Sequence, residues 1–172
     1  MAIDTRRKPR FTRRHAGLWL ATALVAPGIA SGHGDAKHQG DPRAPSDEQH
    51  PWGREGDPRH VSRTITLAMR DAMRFSPDRL QVRLGETLRL RVRNRGALLH
   101  ELVIGTEAEL AAHAELMRRH PGMEHDAPYM AHVAAGRHGD IVWNFNRAGT
   151  FHFACLIPGH WEAGMRGQVH VR

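Results

Sequence analysis

Strict alternation of apolar and polar residues runs through the second half of the chain and predicts β-strands. In "LRLRVRN" (88–94), Leu88, Leu90 and Val92 alternate with arginines, as expected for a strand with one buried face. The arginines are interpreted as a solvated face that blunts a sheet edge. Further short apolar runs predict strands at 65–69, 80–84, 100–105, 140–145, 150–156 and 167–171.

The pattern changes after residue 105 and predicts one helix. The segment 106–120, "TEAELAAHAELMRRH", contains helix-forming residues, and Thr106 is a suitable N-cap. The following stretch, 121–139, is rich in turn residues and is interpreted as a loop. Short strands separated by turns, with one helical insertion at about 106–132, predict an all-β fold, either a Greek-key sandwich or a barrel.

The first sixty residues show neither pattern. Basic residues precede the apolar run "GLWLATALVAPGIA" (17–30), the layout of an export signal over residues 1–30, and "TRRHAGLWL" resembles a twin-arginine signal. A membrane anchor is the alternative, but the run is short for a membrane span. Residues 31–60 are rich in Gly, Pro, Asp and His and predict a flexible arm.

Charge and cysteine content narrow the functional class. The leader carries six basic residues and one acidic residue, so it supplies +5 of the formal net charge of +7. The remaining chain is nearly neutral, which argues against nucleic-acid binding. The chain has one cysteine, which excludes an intrachain disulfide framework. In an exported protein, a lone thiol is interpreted as buried, dimerising or metal-bound.

The segment "ACLIPGHWEAGMRG" (154–167) places three potential metal ligands close together. Cys155, His160 and Met165 offer a thiolate, an imidazole and a thioether. Two imidazoles, a thiolate and a weak axial thioether form the type 1 copper site, and zinc is the alternative metal. The second imidazole must come from another part of the chain, and His100, an upstream histidine at a strand end, is suited to supply it. "HELVI" (100–104) resembles a zinc-protease motif, but Ile104 replaces its second histidine.

Two longer segments resemble the cupredoxins, the plastocyanin and azurin superfamily. They are "MRFSPDRLQVRLGETLRLRVRNRGALLHELVIG" (73–105) and "AGTFHFACLIPGHWEAGMRGQVHV" (148–171), and the resemblance runs from about Thr64 to Val171. It implies a Greek-key β-sandwich of seven or eight strands. It also implies copper as the cofactor, bound by the ligands His100, Cys155, His160 and Met165. Asn94 matches the asparagine that, in this family, hydrogen-bonds around the cysteine and braces the two ligand segments.

The chain contains more His and Met than one copper site needs. The candidate ligands for additional copper are His113, Met117, His120, Met123, His125, Met130, His132, His33, His38, Met69 and Met73. His113, Met117 and His120 share a helical face, and soft sulfur with imidazole suits Cu(I). In the arm, His50 and His60 could add weak Cu(II) binding. The alternative is that Met117 packs the helix onto the sandwich while the histidines face solvent.

Three functions follow from a cupredoxin domain: electron shuttle, copper-handling protein or part of an oxidase. An oxidase needs a further copper centre fed by His-x-His pairs, which the sequence lacks. The His-rich arm and the His/Met insertion resemble the CopI-type periplasmic copper-tolerance cupredoxins. We therefore expect a periplasmic protein that binds copper and cycles Cu(I)/Cu(II), rather than an enzyme, with any cuprous oxidase activity left open. The alternative is a soluble electron-transfer protein. Expected partners are copper ions and a periplasmic redox or copper-handling protein.

Overall fold

A computed structural model describes residues 44–121 and 125–172. The predicted signal peptide (1–30), the first part of the arm with His33 and His38, and Met123 lie outside these ranges. Within them, no helix is long and apolar enough to cross a membrane.

The described residues form eleven strands, one α-helix and one short 3-10 helix. The first six strands are β1 (Gln49–His50), β2 (Gly53–Glu55), β3 (Arg63–Arg70), β4 (Arg74–Ser76), β5 (Arg79–Val82) and β6 (Glu86–Asn94), with the 3-10 helix at Pro58–His60. The remaining elements are β7 (His100–Gly105), α1 (Glu107–Arg119), β8 (Met130–Val133), β9 (His138–Phe145), β10 (Gly149–Ala154) and β11 (Arg166–Val171).

The strands form two sheets that enclose one core. One sheet has the order β1-β2-β9-β6-β3-β4, and the other has the order β5-β11-β10-β7-β8. Two neighbouring pairs, β3 with β6 and β5 with β11, run parallel, so the chain crosses between sheets rather than following simple hairpins. The predicted all-β sandwich with one helical insertion is confirmed.

The alternating pattern of β6 sets the two faces of its sheet. Leu88, Leu90 and Val92 are fully buried, and they pack in one cluster with the large core aromatics. On the other face, Arg91 forms two hydrogen bonds of 2.9 Å to Asp140 of β9. The arginine face is thus partly neutralised across the strand pair.

The helix α1 covers the outer face of the second sheet. Thr106 and Glu109 form a reciprocal capping box at its start, which confirms Thr106 as the N-cap. Leu110, Ala114 and Met117 are buried against the sheet. Strand β7 therefore packs between the sandwich core and the helix, and all six of its residues are buried.

Three predictions from the sequence require correction. The loop predicted at 121–139 contains strand β8, because "MAHV" (130–133) pairs with β7. The strand predicted at 80–84 ends earlier, at Val82, and Leu84 in the following turn is 55% exposed. The flexible arm predicted up to residue 60 is wrong for its last part, where β1 and β2 extend the first sheet through β9.

One aromatic residue explains why this part of the arm is ordered. Trp52 is only 4% exposed and stacks on His50 with ring centroids 4.7 Å apart. It packs edge-on against Tyr129 at 5.5 Å. Its carbonyl accepts a 3.1 Å hydrogen bond from Trp143 Nε1. Burial of this indole thus adds to the strand pairing of β1 and β2 in ordering an otherwise polar segment.

We expect Trp52→Ala to destabilise the domain by about 3–5 kcal/mol, the usual cost of removing a buried tryptophan side chain. Urea unfolding followed by circular dichroism measures this loss. Leu84→Ala is the control, because an exposed leucine should change the free energy of unfolding by less than about 0.5 kcal/mol. Equal effects of the two substitutions would contradict the packing of this segment.

Candidate metal centre

Three side chains converge at one end of the sandwich. His100 begins β7, Cys155 directly follows β10, and His160 lies in the loop between β10 and β11. One ligand atom from each lies within 4.8 Å of the others. Among the described residues, no other set of three His, Cys, Asp or Glu side chains has its ligand atoms within this distance of one another. The sequence-predicted His100, Cys155 and His160 are therefore brought together.

The His100 ring is held in place and keeps one nitrogen available. Its Nε2 lies 3.0 Å from Asp71 Oδ1. Its Nδ1 is buried and has no hydrogen-bond partner among the described residues. An orphaned buried nitrogen is costly unless something binds it. A metal ion at Nδ1, with the carboxylate fixing the other nitrogen, is the usual arrangement of a ligating histidine.

Asp71 lies in the turn between β3 and β4. Its carboxylate accepts backbone hydrogen bonds from Ala97 at 2.8 Å and Leu98 at 3.3 Å. The pKa of Asp71 lies below its usual range. The hydrogen bond from Ala97 is the largest cause, and the contact with His100 is the second. One anionic residue thus organises both the loop before β7 and the imidazole of His100. Sequence analysis missed Asp71 because no local pattern distinguishes it from a surface turn residue.

The Cys155 sulfur is buried beside His160. Its Sγ lies 3.2 Å from His160 Nδ1 and accepts a 3.4 Å hydrogen bond from the Glu101 backbone N–H. Burial raises the pKa of the thiol to about 12. The sulfur becomes a thiolate ligand when a metal cation replaces its proton.

Backbone hydrogen bonds close the loop that carries His160 and Met165. The Cys155 N–H donates to the Met165 carbonyl at 3.0 Å, and the Met165 N–H donates to the His160 carbonyl at 3.0 Å. Gly159 and Gly164 both adopt φ of 88°, a conformation that favours glycine. Met165 is fully buried and belongs to the same core cluster as Cys155, and its role as the axial ligand stays a prediction.

Asn94 braces a different pair of segments from the one implied by the resemblance. Its Nδ2 donates to the carbonyls of Leu98 at 2.7 Å and Val133 at 2.8 Å, and its Oδ1 accepts from the Gly96 N–H at 2.9 Å. These bonds connect the loop before β7 to β8. None of them reaches the segment of Cys155.

Glu101 instead connects β7 to the cysteine segment. Its side chain is almost fully buried, and Oε1 accepts a 2.7 Å hydrogen bond from the Leu156 N–H. Its own N–H donates to the Cys155 sulfur. The sequence carries one signal for this role, since Glu101 is a charged residue inside an otherwise apolar strand.

The structure separates the remaining predicted ligands. Met69 lies in the sandwich core, and Met117 and Met130 lie in the apolar cluster beneath α1. Met73 packs partly against the core, while His120 is exposed at the end of the helix. His113, His125 and His132 form a separate group of neighbouring rings.

The donor set fits copper. A buried thiolate and two imidazoles form the trigonal part of a type 1 copper site, and a methionine thioether supplies its weak axial ligand. A closed tetrahedral zinc site is less suited, because zinc prefers stronger fourth ligands than a thioether. His100, Cys155 and His160 can therefore form a type 1 copper centre.

The chain is similar to known copper proteins along most of its length. The family model of copper binding proteins, plastocyanin/azurin family, matches residues 62–172. The copper-resistant cuproprotein CopI of Rubrivivax gelatinosus is 48% identical over 157 residues, with 91% of this chain and 92% of the relative covered. Its counterpart in Pseudomonas aeruginosa is 31% identical over 150 residues, covering 70% of this chain and 82% of the relative.

Solved structures agree on the fold. Auracyanin B superposes with a TM-score of 0.58 at 21% identity, covering 73% of this chain and 99% of that one. Reduced auracyanin from Roseiflexus castenholzii gives a TM-score of 0.56 at 23% identity, covering 65% and 98%. Together with the site geometry, the matches over residues 62–172 show that the chain belongs to the plastocyanin/azurin family of copper-binding proteins.

Proposed function

We propose that this protein is a periplasmic type 1 copper protein of copper tolerance, which binds copper and cycles between Cu(I) and Cu(II). The observation that carries the proposal is the close set of His100, Cys155 and His160 with an orphaned, buried Nδ1 on His100. Two relatives that align over most of their length are named copper-resistant cuproproteins. A copper-binding site in such a protein would intercept the ion before it damages other proteins.

The residues around the site favour one-electron exchange with little rearrangement. Copper, when bound, supplies the one-electron Cu(I)/Cu(II) couple. Asp71 holds the His100 ring, and the Glu101 N–H holds the Cys155 sulfur. The two ligand side chains, His100 and Cys155, are fully buried. Close packing therefore limits how far they move when the charge of the site changes. His160 is only partly buried and links the site to the surface.

The proposed periplasmic location rests on the sequence. The basic and apolar leader at residues 1–30 is typical of an export signal. Cys155 is the sole cysteine of the chain and is buried in the structure. Burial limits contact between its thiol and other thiols in an oxidising compartment. As in the expectation from the sequence, we propose a binding protein rather than an enzyme.

Electron transfer to a respiratory or other redox partner is the second candidate function. Leu98 and Leu99 are 47% and 51% exposed, and they directly precede the ligand His100. Exposed apolar side chains next to a redox centre favour short-lived contact with another protein. Without the protein, a cell should lose copper resistance if the first function is correct, and respiratory electron flow if the second is correct.

Replacing the cysteine ligand should abolish the thiolate-to-copper charge-transfer band of the Cu(II) protein. We expect Cys155→Ser to be colourless in the visible range, because no thiolate remains to donate charge. Absorption spectra after addition of one equivalent of Cu(II) measure this. His138→Gln, at an exposed position, is the control that keeps the band. A band of unchanged intensity in Cys155→Ser would refute the ligand assignment.

Asp71→Asn should raise the reduction potential. The carboxylate increases the electron donation of His100 and adds negative charge near the site, and both effects stabilise Cu(II) over Cu(I). A tenfold change in the ratio of the two affinities corresponds to about 59 mV, and we expect a shift of that order by spectroelectrochemistry. Asp78→Asn removes an equal charge at an exposed position and is the matched control. Equal shifts in both variants would contradict a specific role for Asp71.

Deleting the gene should make cells sensitive to copper while leaving respiration at normal copper intact. We expect the wild-type gene to restore growth on copper and the Cys155→Ser allele to fail. Growth curves across a copper series, with oxygen consumption measured in parallel, test this. A respiratory defect at normal copper without copper sensitivity would favour the electron-transfer function instead.

A further inference from the structure

A second group of metal-binding side chains lies on the other face of β7. His113 comes from α1, His125 from the segment that connects α1 to β8, and His132 from β8 itself. The rings of His113 and His125 have centroids 4.5 Å apart, and those of His125 and His132 lie 6.0 Å apart. Three separate parts of the chain thus bring imidazoles to one place.

A buried carboxylate completes this group. Glu101 and His132 stand directly opposite each other in the antiparallel pair of β7 and β8, and Glu101 Oε2 lies 2.8 Å from His132 Nε2. Glu101 is 1% exposed. A carboxylate so far from water requires positive charge or hydrogen bonds nearby. The histidine group supplies this environment.

The central ring of the group lacks the bonds that a structural histidine makes. Both ring nitrogens of His125 are shielded from solvent and have no hydrogen-bond partner within the described part of the chain. A neutral imidazole carries one donor and one acceptor, and leaving both unmet is unfavourable. A histidine kept only for packing would be expected to bond at least one of them.

The pKa of His113 is shifted by burial and by the other members of the group. Burial lowers the pKa of His113, the neighbouring rings His125 and His132 lower it further, and Glu101 acts in the opposite direction. Burial and the neighbouring rings thus favour the neutral form of the His113 imidazole. Neutral imidazole is the form that binds metals.

We propose that His113, His125, His132 and Glu101 bind a second copper ion, as Cu(II), on the opposite face of β7 from the first site. Three imidazoles and one carboxylate are nitrogen and oxygen donors, which suit Cu(II) and lack the sulfur that stabilises Cu(I). Cu(II) also binds such donors more tightly than Zn(II) in the general order of divalent affinities. The site contains none of the ligands of the first site.

The spacing of the rings is compatible with one shared ion. Because a metal lies about 2.0–2.1 Å from each ligating nitrogen, rings that share it have centroids on the order of 5–6 Å apart. The observed separations of 4.5 and 6.0 Å bracket this value. No three ligand atoms of this group lie within 4.8 Å of one another, since among the described residues only His100, Cys155 and His160 do so. A shared ion therefore requires side chains of the group to rotate toward it.

His120 distinguishes this proposal from a general affinity of histidine-rich surfaces for copper. It lies seven residues beyond His113, about 10 Å further along the helix axis, and is exposed. It belongs to the same helical segment but not to the group of three rings. His120→Gln is therefore a control matched in residue type and in location.

The test is a Cu(II) titration of the mature protein carrying His33→Gln and His38→Gln, which remove the arm histidines outside the described residues. We expect two equivalents to bind, the second with an electron paramagnetic resonance signal typical of nitrogen and oxygen ligands and without added charge-transfer absorption. His125→Gln should weaken only the second equivalent, by more than about 10-fold, since losing even an outer-shell partner costs about 10- to 100-fold.

The charge-transfer band of the first site reports whether each variant is folded. If His125→Gln loses this band, His113→Gln serves as the second variant, because it alters an intermediate-exposure position on the helix. One bound equivalent in the parent protein overturns the proposal. So does a second equivalent that His120→Gln weakens as much as His125→Gln, or one that Zn(II) occupies in preference to Cu(II). Because the first site contributes the band and the second does not, failure of this proposal is distinct from failure of the proposed function.

Discussion

The burial of β7 on both faces is the constraint on which the rest of the structure depends. This strand packs between the sandwich core and α1, so every polar atom in it needs a partner inside the protein. Leu102 and Ile104 face the core, and Val103 faces the helix. His100 and Glu101 are the two polar side chains of this strand. Their partners, Asp71 and His132, are accordingly drawn from the turn after β3 and from β8.

The site at the end of the sandwich follows from this arrangement. His100 is fixed by Asp71 on one nitrogen and left orphaned on the other. Glu101 holds the cysteine segment through its backbone N–H and its side chain. The loop with His160 and Met165 is then closed by its own backbone hydrogen bonds. The ligand geometry thus depends on backbone and carboxylate contacts within the protein itself, which need no metal.

Local sequence patterns predicted those features that depend on neighbouring residues. Alternation in 88–94 located β6, the Thr106 cap located α1, and the spacing of Cys155, His160 and Met165 indicated the ligand loop. Other features depend on distant packing. Trp52 orders a polar segment only because Tyr129 and Trp143 lie beside it. The roles of Asp71 and Glu101 arise from contacts across 29 and 55 residues of chain, which no short window contains.

The central claim, that Cys155, His100 and His160 bind copper directly, is tested most directly by X-ray absorption at the copper edge. The protein loaded with one equivalent of Cu(II) should show one short copper–sulfur bond and two imidazole nitrogens at about 2.0 Å, a usual metal–imidazole distance. A first shell made only of nitrogen and oxygen, with no short sulfur bond, would contradict the claim.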